Sequence, residues 1–300
     1  MASETARVTP QVLRQLDAFS MHSRRSVLGL RQGSHRSLRR GHGVEFAEYR
    51  QYELGDNPRY IDWNLYGRTD KLYIKRYLEE ENVSLFVVID SSASITHPAL
   101  RMKWEFATTL ATYTAYIALS SQDPITTCVL GYGASPTFWG GRAFAGVSRF
   151  LDATTASLSD VPRPINVVSE ARRIASRMTF PGICVVISDF LYPTAEVAAL
   201  LAAFRSRNME VHAVQVLGPL DIEPGKGTIG ATLVDSETGE SLPVSLDSDS
   251  RALYLSRLQS HNKKVREHCL SSQVQFTSTI IQEPISACCI ETLNNMALFV

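Results

Sequence analysis

No stretch of this sequence approaches the about 18 uninterrupted apolar residues that a membrane-crossing helix needs. Its start also lacks the basic residues followed by an apolar run that mark a secretion signal. Neither charge sign is in excess: 30 lysines and arginines face 30 aspartates and glutamates. No net field therefore draws the chain toward nucleic acid or anionic lipid, and any such affinity would have to be local. Cysteine is sparse and odd in number. Cys128, Cys184, Cys269, Cys288 and Cys289 are the five, two of them inside apolar strand-like runs, which reads as buried thiols in a reducing compartment. A cytoplasmic protein is expected.

The signatures of common chemistries are missing too. There is no Gly-Lys-Ser or Gly-Lys-Thr step for a phosphate-binding loop, and no glycine fingerprint after the first long apolar strand for a dinucleotide. A Gly-x-Ser-x-Gly elbow is absent. The seven histidines and five cysteines show no His-x-x-x-His or Cys-x-x-Cys spacing, which argues against zinc. Between Asp17 and Glu45 carboxylates are lacking altogether, while Arg24, Arg25, Arg31, Arg36, Arg39 and Arg40 stand among serines, glycines and three histidines. This is a basic, loop-like arm, expected to be solvated or to dock on an acidic partner; nucleic-acid binding is the weakest of its readings.

What is present is an ordinary globular composition, 44% apolar and 20% charged over 300 residues, enough for one or two domains. Residues 45–81 are dense in charges and aromatics. Gly55-Asp56-Asn57-Pro58 within them is turn chemistry, and 72–78 mixes apolar and basic residues as an exposed or edge strand does.

At Val83 the pattern changes. Residues 84–89 and 183–188 are short apolar runs, each ending in an acid, Asp90 and Asp189, as expected of parallel strands buried on both faces. Further strands are predicted at 125–130, with 137–139 as a short companion, at 211–217 and at 274–280. A hairpin is predicted around 232–246. Helices are predicted at 102–120, 144–157, 167–178, 195–207 and 250–270, with a short one at the end. Repeated strand-helix units imply an α/β fold, a doubly wound, mainly parallel sheet with helices on both faces over residues 82–300. Residues 1–81 are predicted to form the basic arm and an extension, with a helix and short strands, that packs on this core.

In an open α/β sheet, ligands bind beyond the carboxyl ends of the strands, where Asp90 and Asp189 lie. Asp90, Ser92 and Ser94 follow one another at two-residue intervals, so one loop can aim a carboxylate and two hydroxyls at a single point. Hard oxygens in this number suit Mg²⁺, or Mn²⁺ in its place, and Asp189 could join directly or through water. The plain structural alternative is that both acids cap the following helices. An aspartyl nucleophile at Asp90 is the enzymatic alternative, although such phosphatases want a second acid where Ser92 stands.

Asp90-Ser91-Ser92-Ala93-Ser94 after an apolar strand resembles the Asp-x-Ser-x-Ser opening of the metal-ion-dependent adhesion site of von Willebrand factor A domains. The preceding block is more specific. Glu45-Phe46, Arg50-Gln51-Tyr52, Gly55-Asp56, Arg59, Ile61-Asp62-Trp63, Arg68-Thr69-Asp70-Lys71-Leu72 and Lys75-Arg76-Tyr77 resemble the signature of the bacterial family called domain of unknown function 58. Asp235-Ser236-Glu237-Thr238-Gly239-Glu240 fits it as well. The resemblance implies a von Willebrand factor A-like core, a cation site of Asp90, Ser92, Ser94 and Asp189, and a MoxR-type AAA+ ATPase as partner in assembling or remodelling other proteins. It departs at Val161-Pro162-Arg163-Pro164-Ile165-Asn166, where the family's threonine is not found and Thr154 and Thr155 come too early.

The expectation is thus a non-enzymatic adaptor with divalent-cation-assisted partner binding; the alternative is a Mg-dependent phosphohydrolase using Asp90. Glu45, Arg50, Asp56, Arg59, Asp62, Trp63 and Arg68 are expected either to form a recognition surface or a hydrogen-bonded network with Trp63 as its anchor.

Overall fold

A computed structural model describes residues 8–21, 45–78, 83–97, 100–158, 165–178, 182–223, 231–234, 241–244 and 248–299. The arginine arm and residues 161–164, where a threonine was sought, lie outside them. The chain divides into two compact units, Met1–Ser23 with Val83–Val300, and Arg24–Asn82. The first helix, α1 (Pro10–Leu16), starts where the Thr9 hydroxyl accepts the Val12 amide at 3.3 Å and proline occupies the first turn.

In the smaller unit, β1 (Glu45–Gln51) pairs antiparallel with β2 (Tyr73–Leu78), and α2 (Trp63–Thr69) lies in the connection between them. Asp62 sets the start of α2. Its Oδ1 accepts from the amides of Asn64 at 3.0 Å and Leu65 at 3.1 Å. The helix stops at Asp70, which takes the left-handed conformation (φ 55°) and returns its amide to Tyr66 O.

The larger unit is built on a six-stranded sheet. Its strands are β3 (Ser84–Ile89), β4 (Ile125–Val129), β5 (Gly133–Ala134), β6 (Gly182–Ser188), β7 (Glu210–Leu217) and, late in the chain, β10 (Gln275–Ile280), in the order β10-β7-β6-β3-β4-β5. All pairings are parallel except that of β4 with β5. A separate antiparallel hairpin joins β8 (Ala231–Val234) to β9 (Ser241–Val244), matching the hairpin predicted there. The companion strand predicted at 137–139 is reduced to one bridge between Phe138 and Ile125, and β5 takes the place beside β4. Pro136 lies between the two and has no amide to donate, so the ladder cannot run through.

Strand residues alternate between two cores. Leu85, Val87 and Ile89 of β3, with Ile183, Val185 and Ile187 of β6, point to one face; Phe86, Val88, Cys184 and Val186 point to the other. This two-sided burial is why both strands read as unbroken apolar runs. The first face is covered by α1, α4 (Arg101–Ser120), α5 (Phe144–Ser157) and α10 (Ile285–Asn295). The second is covered by α6 (Val167–Ala175), α7 (Thr194–Arg205) and α9 (Ser248–Ser271). Two one-turn helices, α3 (Ala93–Thr96) and α8 (Pro219–Ile222), follow β3 and β7.

The boundary expected at residue 81 shifts at the N-terminus. Val12 and Leu16 are buried in the same core as α4, the Tyr116 hydroxyl donates to Asp17 Oδ1 at 2.7 Å, and Phe19 meets Phe299 edge-on. Residues 8–21 therefore belong with the sheet.

Leu110 sits in α4 with no exposed surface. Leu110→Ala should cost about 2–5 kcal/mol, seen as a lower urea midpoint with an unchanged slope.

Candidate functional site

Strand order reverses beside β3: β4 and β5 lie on one side of it, while β6, β7 and β10 build out on the other. The loops leaving β3 and β6 meet at this switch point, where open α/β sheets hold their ligands. Asp90 and Asp189 follow the two strands directly.

Asp90 extends the ladder, its amide donating to Ile187 O at 2.9 Å, and its side chain is fully buried. Oδ1 accepts from the Ser92 amide at 2.8 Å. Oδ2 accepts from Ser188 Oγ at 2.7 Å, from Ser92 Oγ at 3.1 Å and from the Tyr192 phenol. Ser92 Oγ lies 3.1 Å from Ser94 Oγ. Burial pushes the Asp90 carboxyl up to about 6; the charge of Asp189 adds to this, and the bonds from Tyr192, Ser92 and Ser188 oppose it.

Asp189 is held differently. Its Oδ2 receives the Lys103 ammonium at 3.0 Å and its Oδ1 the Leu191 amide at 3.2 Å. Lys103, from the first turn of α4, also meets Asp221 of α8, at 2.9 Å to Oδ1 and 2.7 Å to Oδ2. Burial alone would depress the Lys103 ammonium, but the two carboxylates outweigh it and raise it. Burial raises Asp221, and Lys103 pulls it back only in part. These opposite balances are what two acids sharing one ammonium produce, and the ion-paired state of Lys103 is the direction the distances support.

The turn after β6 is fixed from several sides. Phe190 is buried in the left-handed region (φ 53°), which costs a non-glycine residue on the order of 1–3 kcal/mol. Its amide donates to Ser188 Oγ at 2.9 Å, the same hydroxyl that donates to Asp90. Gln215 Nε2 donates to Asp189 O at 3.1 Å. This turn carries Tyr192 to Asp90. Neither acid is a helix cap: the cap residues of α3 and α7 are Ser92 and Pro193, without a side-chain cap bond.

Asp90 Oδ2, Ser92 Oγ and Ser94 Oγ are linked by two successive spacings of 3.1 Å. An octahedron with Mg–O bonds of about 2.1 Å has edges of roughly 3.0 Å, so these three hard oxygens fit one face or edge pair of a Mg²⁺ or Mn²⁺ shell. Among the described residues no group of three or more His, Cys, Asp or Glu that could hold a metal ion comes together. Thr154 and Thr155 are no substitutes for the missing threonine. Their hydroxyls donate to Phe150 O and Leu151 O within α5, and Thr155 also takes the Trp104 indole N–H at 3.0 Å.

Among the residues singled out in the smaller unit, four have local partners: Arg50, Asp56, Asp62 and Arg68, whose Nε donates to Asn64 O at 3.4 Å. Arg50 Nη2 meets Asp56 at 2.6 and 2.7 Å, and Asp56 Oδ2 also accepts the Glu53 amide. Asp62, besides starting α2, accepts the Tyr49 hydroxyl at 2.9 Å. Glu45 opens β1 opposite Leu78. Arg59, Trp63 and Arg68 are exposed, Trp63 at 62%, with its ring edge-on to Tyr66.

Lys103, Tyr192, Ser188 and Asp221 were not singled out in the sequence. A single lysine near the start of a helix carries no signal of burial, and a tyrosine three residues past an acid has no periodic partner. Asp221, after the Gly218-Pro219 break, was the one readable clue, since it too follows a buried parallel strand.

The chain matches the family described as Protein of unknown function DUF58 over residues 48–264, and it belongs to that family. It is 26% identical over 262 residues to uncharacterized protein Rv1480 of Mycobacterium tuberculosis and to uncharacterized protein Mb1516 of Mycobacterium bovis, covering 85% of this chain and 80% of each relative. Among solved structures, it is similar to the conserved hypothetical protein BatB from Bacteroides thetaiotaomicron at 12% identity and a TM-score of 0.43, over 72% of this chain and 98% of that one. An aerotolerance-related membrane protein from Bacteroides fragilis, solved with multiple mutations to serine, is similar at 14% identity and a TM-score of 0.41, over 71% of this chain and 100% of that one. Among the described residues, no helix is long and apolar enough to cross a membrane.

Removing the ammonium from the Lys103 cluster leaves two buried carboxylates without a cation. Lys103→Met should lower stability by about 3–5 kcal/mol, and the triple variant Lys103→Met/Asp189→Asn/Asp221→Asn should recover most of that loss in urea unfolding.

Proposed function

We propose that this chain is a non-enzymatic protein-binding module with a von Willebrand factor A-like core, in which Asp90, Ser92 and Ser94 hold a divalent cation that receives a carboxylate from a partner protein. The observation that carries the proposal is the run of three oxygens at 3.1 Å spacing, one of them from the buried Asp90 carboxylate, at the switch point of the sheet. Mg²⁺ or Mn²⁺, when bound, would supply a Lewis-acidic point for an aspartate or glutamate of the partner. The chain's own part is positional. Ser188 and Tyr192 orient Asp90 from the β6 side, and Ser94, only partly buried, lies toward solvent.

The alternative reading is a Mg-dependent phosphohydrolase using Asp90. The proposed partner is a MoxR-type AAA+ ATPase, in protein assembly or remodelling, on the strength of the family resemblance. Exposed Arg59, Trp63 and Arg68 offer it a second recognition surface. A cytoplasmic setting accords with five buried cysteines that form no disulfide.

Binding of a purified MoxR-type ATPase, wild type against Asp90→Ala, in Mg²⁺ and in EDTA, checks the proposal. Capture by wild type in Mg²⁺ alone is expected. Equal capture in all four conditions would defeat the cation bridge, and phosphatase turnover that Asp90→Asn abolishes would favour the enzyme.

A further inference from the structure

We propose that the groove between α6 and α7 is a second docking surface, at the end of the sheet away from Asp90, and that it takes an acidic amphipathic helix of a partner protein. Nothing in it depends on the cation site.

α6 and α7 lie side by side on the second face of the sheet. Each leads into the amino end of a strand, α6 into β6 and α7 into β7, whereas Asp90 and Asp189 follow carboxyl ends. Between the two helices runs a groove of about 460 Å³. Its floor is alanine, Ala175, Ala199, Ala202 and Ala203, and its rim carries Arg172 of α6 and Arg207 just past α7. Alanine ends at Cβ, so a partner helix can come close to both backbones.

Charge on this rim is of one sign. Arg177 and Arg205 stand exposed at the same helix ends, and among the described residues none of Arg172, Arg177, Arg205 and Arg207 is in an ion pair. The carboxylate of α6, Glu170, is taken by Arg173 at 2.6 Å, and that of α7, Glu196, lies in its first turn, at the far end. Arginines in a last turn also favour the helix dipole. That accounts for Arg172 and Arg205 but not for Arg177 and Arg207, which lie beyond the helices. Arg207 Nη2 meets only Met178 O, at a long 3.5 Å.

A carboxylate-bearing helix suits both parts of the groove. Its apolar face settles on the alanines, and acids along its margins meet guanidinium forks, which match a carboxylate two bonds at a time. Single-stranded nucleic acid wants aromatic rings under its bases, and the lining has none. A membrane wants apolar side chains that stand out, whereas these are recessed.

Fluorescence anisotropy of the full chain with a labelled peptide of about 20 residues, alanine and leucine on one helical face and glutamate on the other, tests this. Wild type is expected to bind it, in EDTA and in the Asp90→Ala variant alike, and not its glutamine counterpart. Arg172→Glu/Arg207→Glu should weaken binding at least about tenfold, since two attractions become repulsions. Ala202→Trp, at an exposed position, keeps the charge and fills the floor, and should weaken it at least about fivefold. No binding by wild type, or binding that survives the arginine reversal or Ala202→Trp, would overturn the proposal. So would a labelled single-stranded RNA or phosphatidylserine vesicles bound through these arginines in the peptide's stead. Peptide binding lost in EDTA and in Asp90→Ala would move the acidic partner to the cation site and end this one. If circular dichroism shows the charge reversal unfolded, Arg172→Gln/Arg207→Gln takes its place, with a loss of at least about threefold expected and an unchanged affinity overturning the proposal.

Discussion

A carboxylate at the end of a doubly covered parallel strand is taken out of water by the helices packed on both faces, and it needs a counter-charge or a dense set of donors to remain there. This chain places two such carboxylates side by side. Asp189 receives an ammonium, Lys103, which it shares with Asp221; Asp90 receives three hydroxyls and an amide. The first turn of α4, the turn after β6 and the start of α8 are all fixed by this division of charge. The candidate site lies beside it: the buried Asp90 carboxylate, linked to the hydroxyls of Ser92 and Ser94.

Much of this frame was legible in the sequence because burial on both faces leaves a local mark. β3 and β6 read as unbroken apolar runs ending in acids, and their loops read as ligand-bearing from the two-residue spacing of Asp90, Ser92 and Ser94. Lys103 left no such mark. Its partners lie 86 and 118 residues further along, and a lysine on a helix is surface in most settings. Tyr192 reaches Asp90 across 102 residues, again a contact that only the folded sheet creates. The same limit explains the N-terminus, where Val12 and Leu16 are too few apolar residues to announce that α1 completes the core under α4 and α10.

The charge-rich block between Glu45 and Tyr77 was conspicuous in the sequence and divided once folded. Arg50, Asp56 and Asp62 act locally, closing the turn and starting α2, as short-range acid and amide chemistry permits. Arg59, Trp63 and Arg68 face outward. Sequence pattern marked the block but could not sort its members, since an arginine that closes a loop and one that stays exposed look alike when the strand pairing of β1 with β2 is unknown.

Anomalous diffraction from crystals of the chain grown with Mn²⁺ tests the central claim most directly. One Mn²⁺ peak bonded to Asp90, Ser92 and Ser94 at about 2.1–2.2 Å is predicted. No peak at Asp90 in crystals saturated with the ion would contradict it.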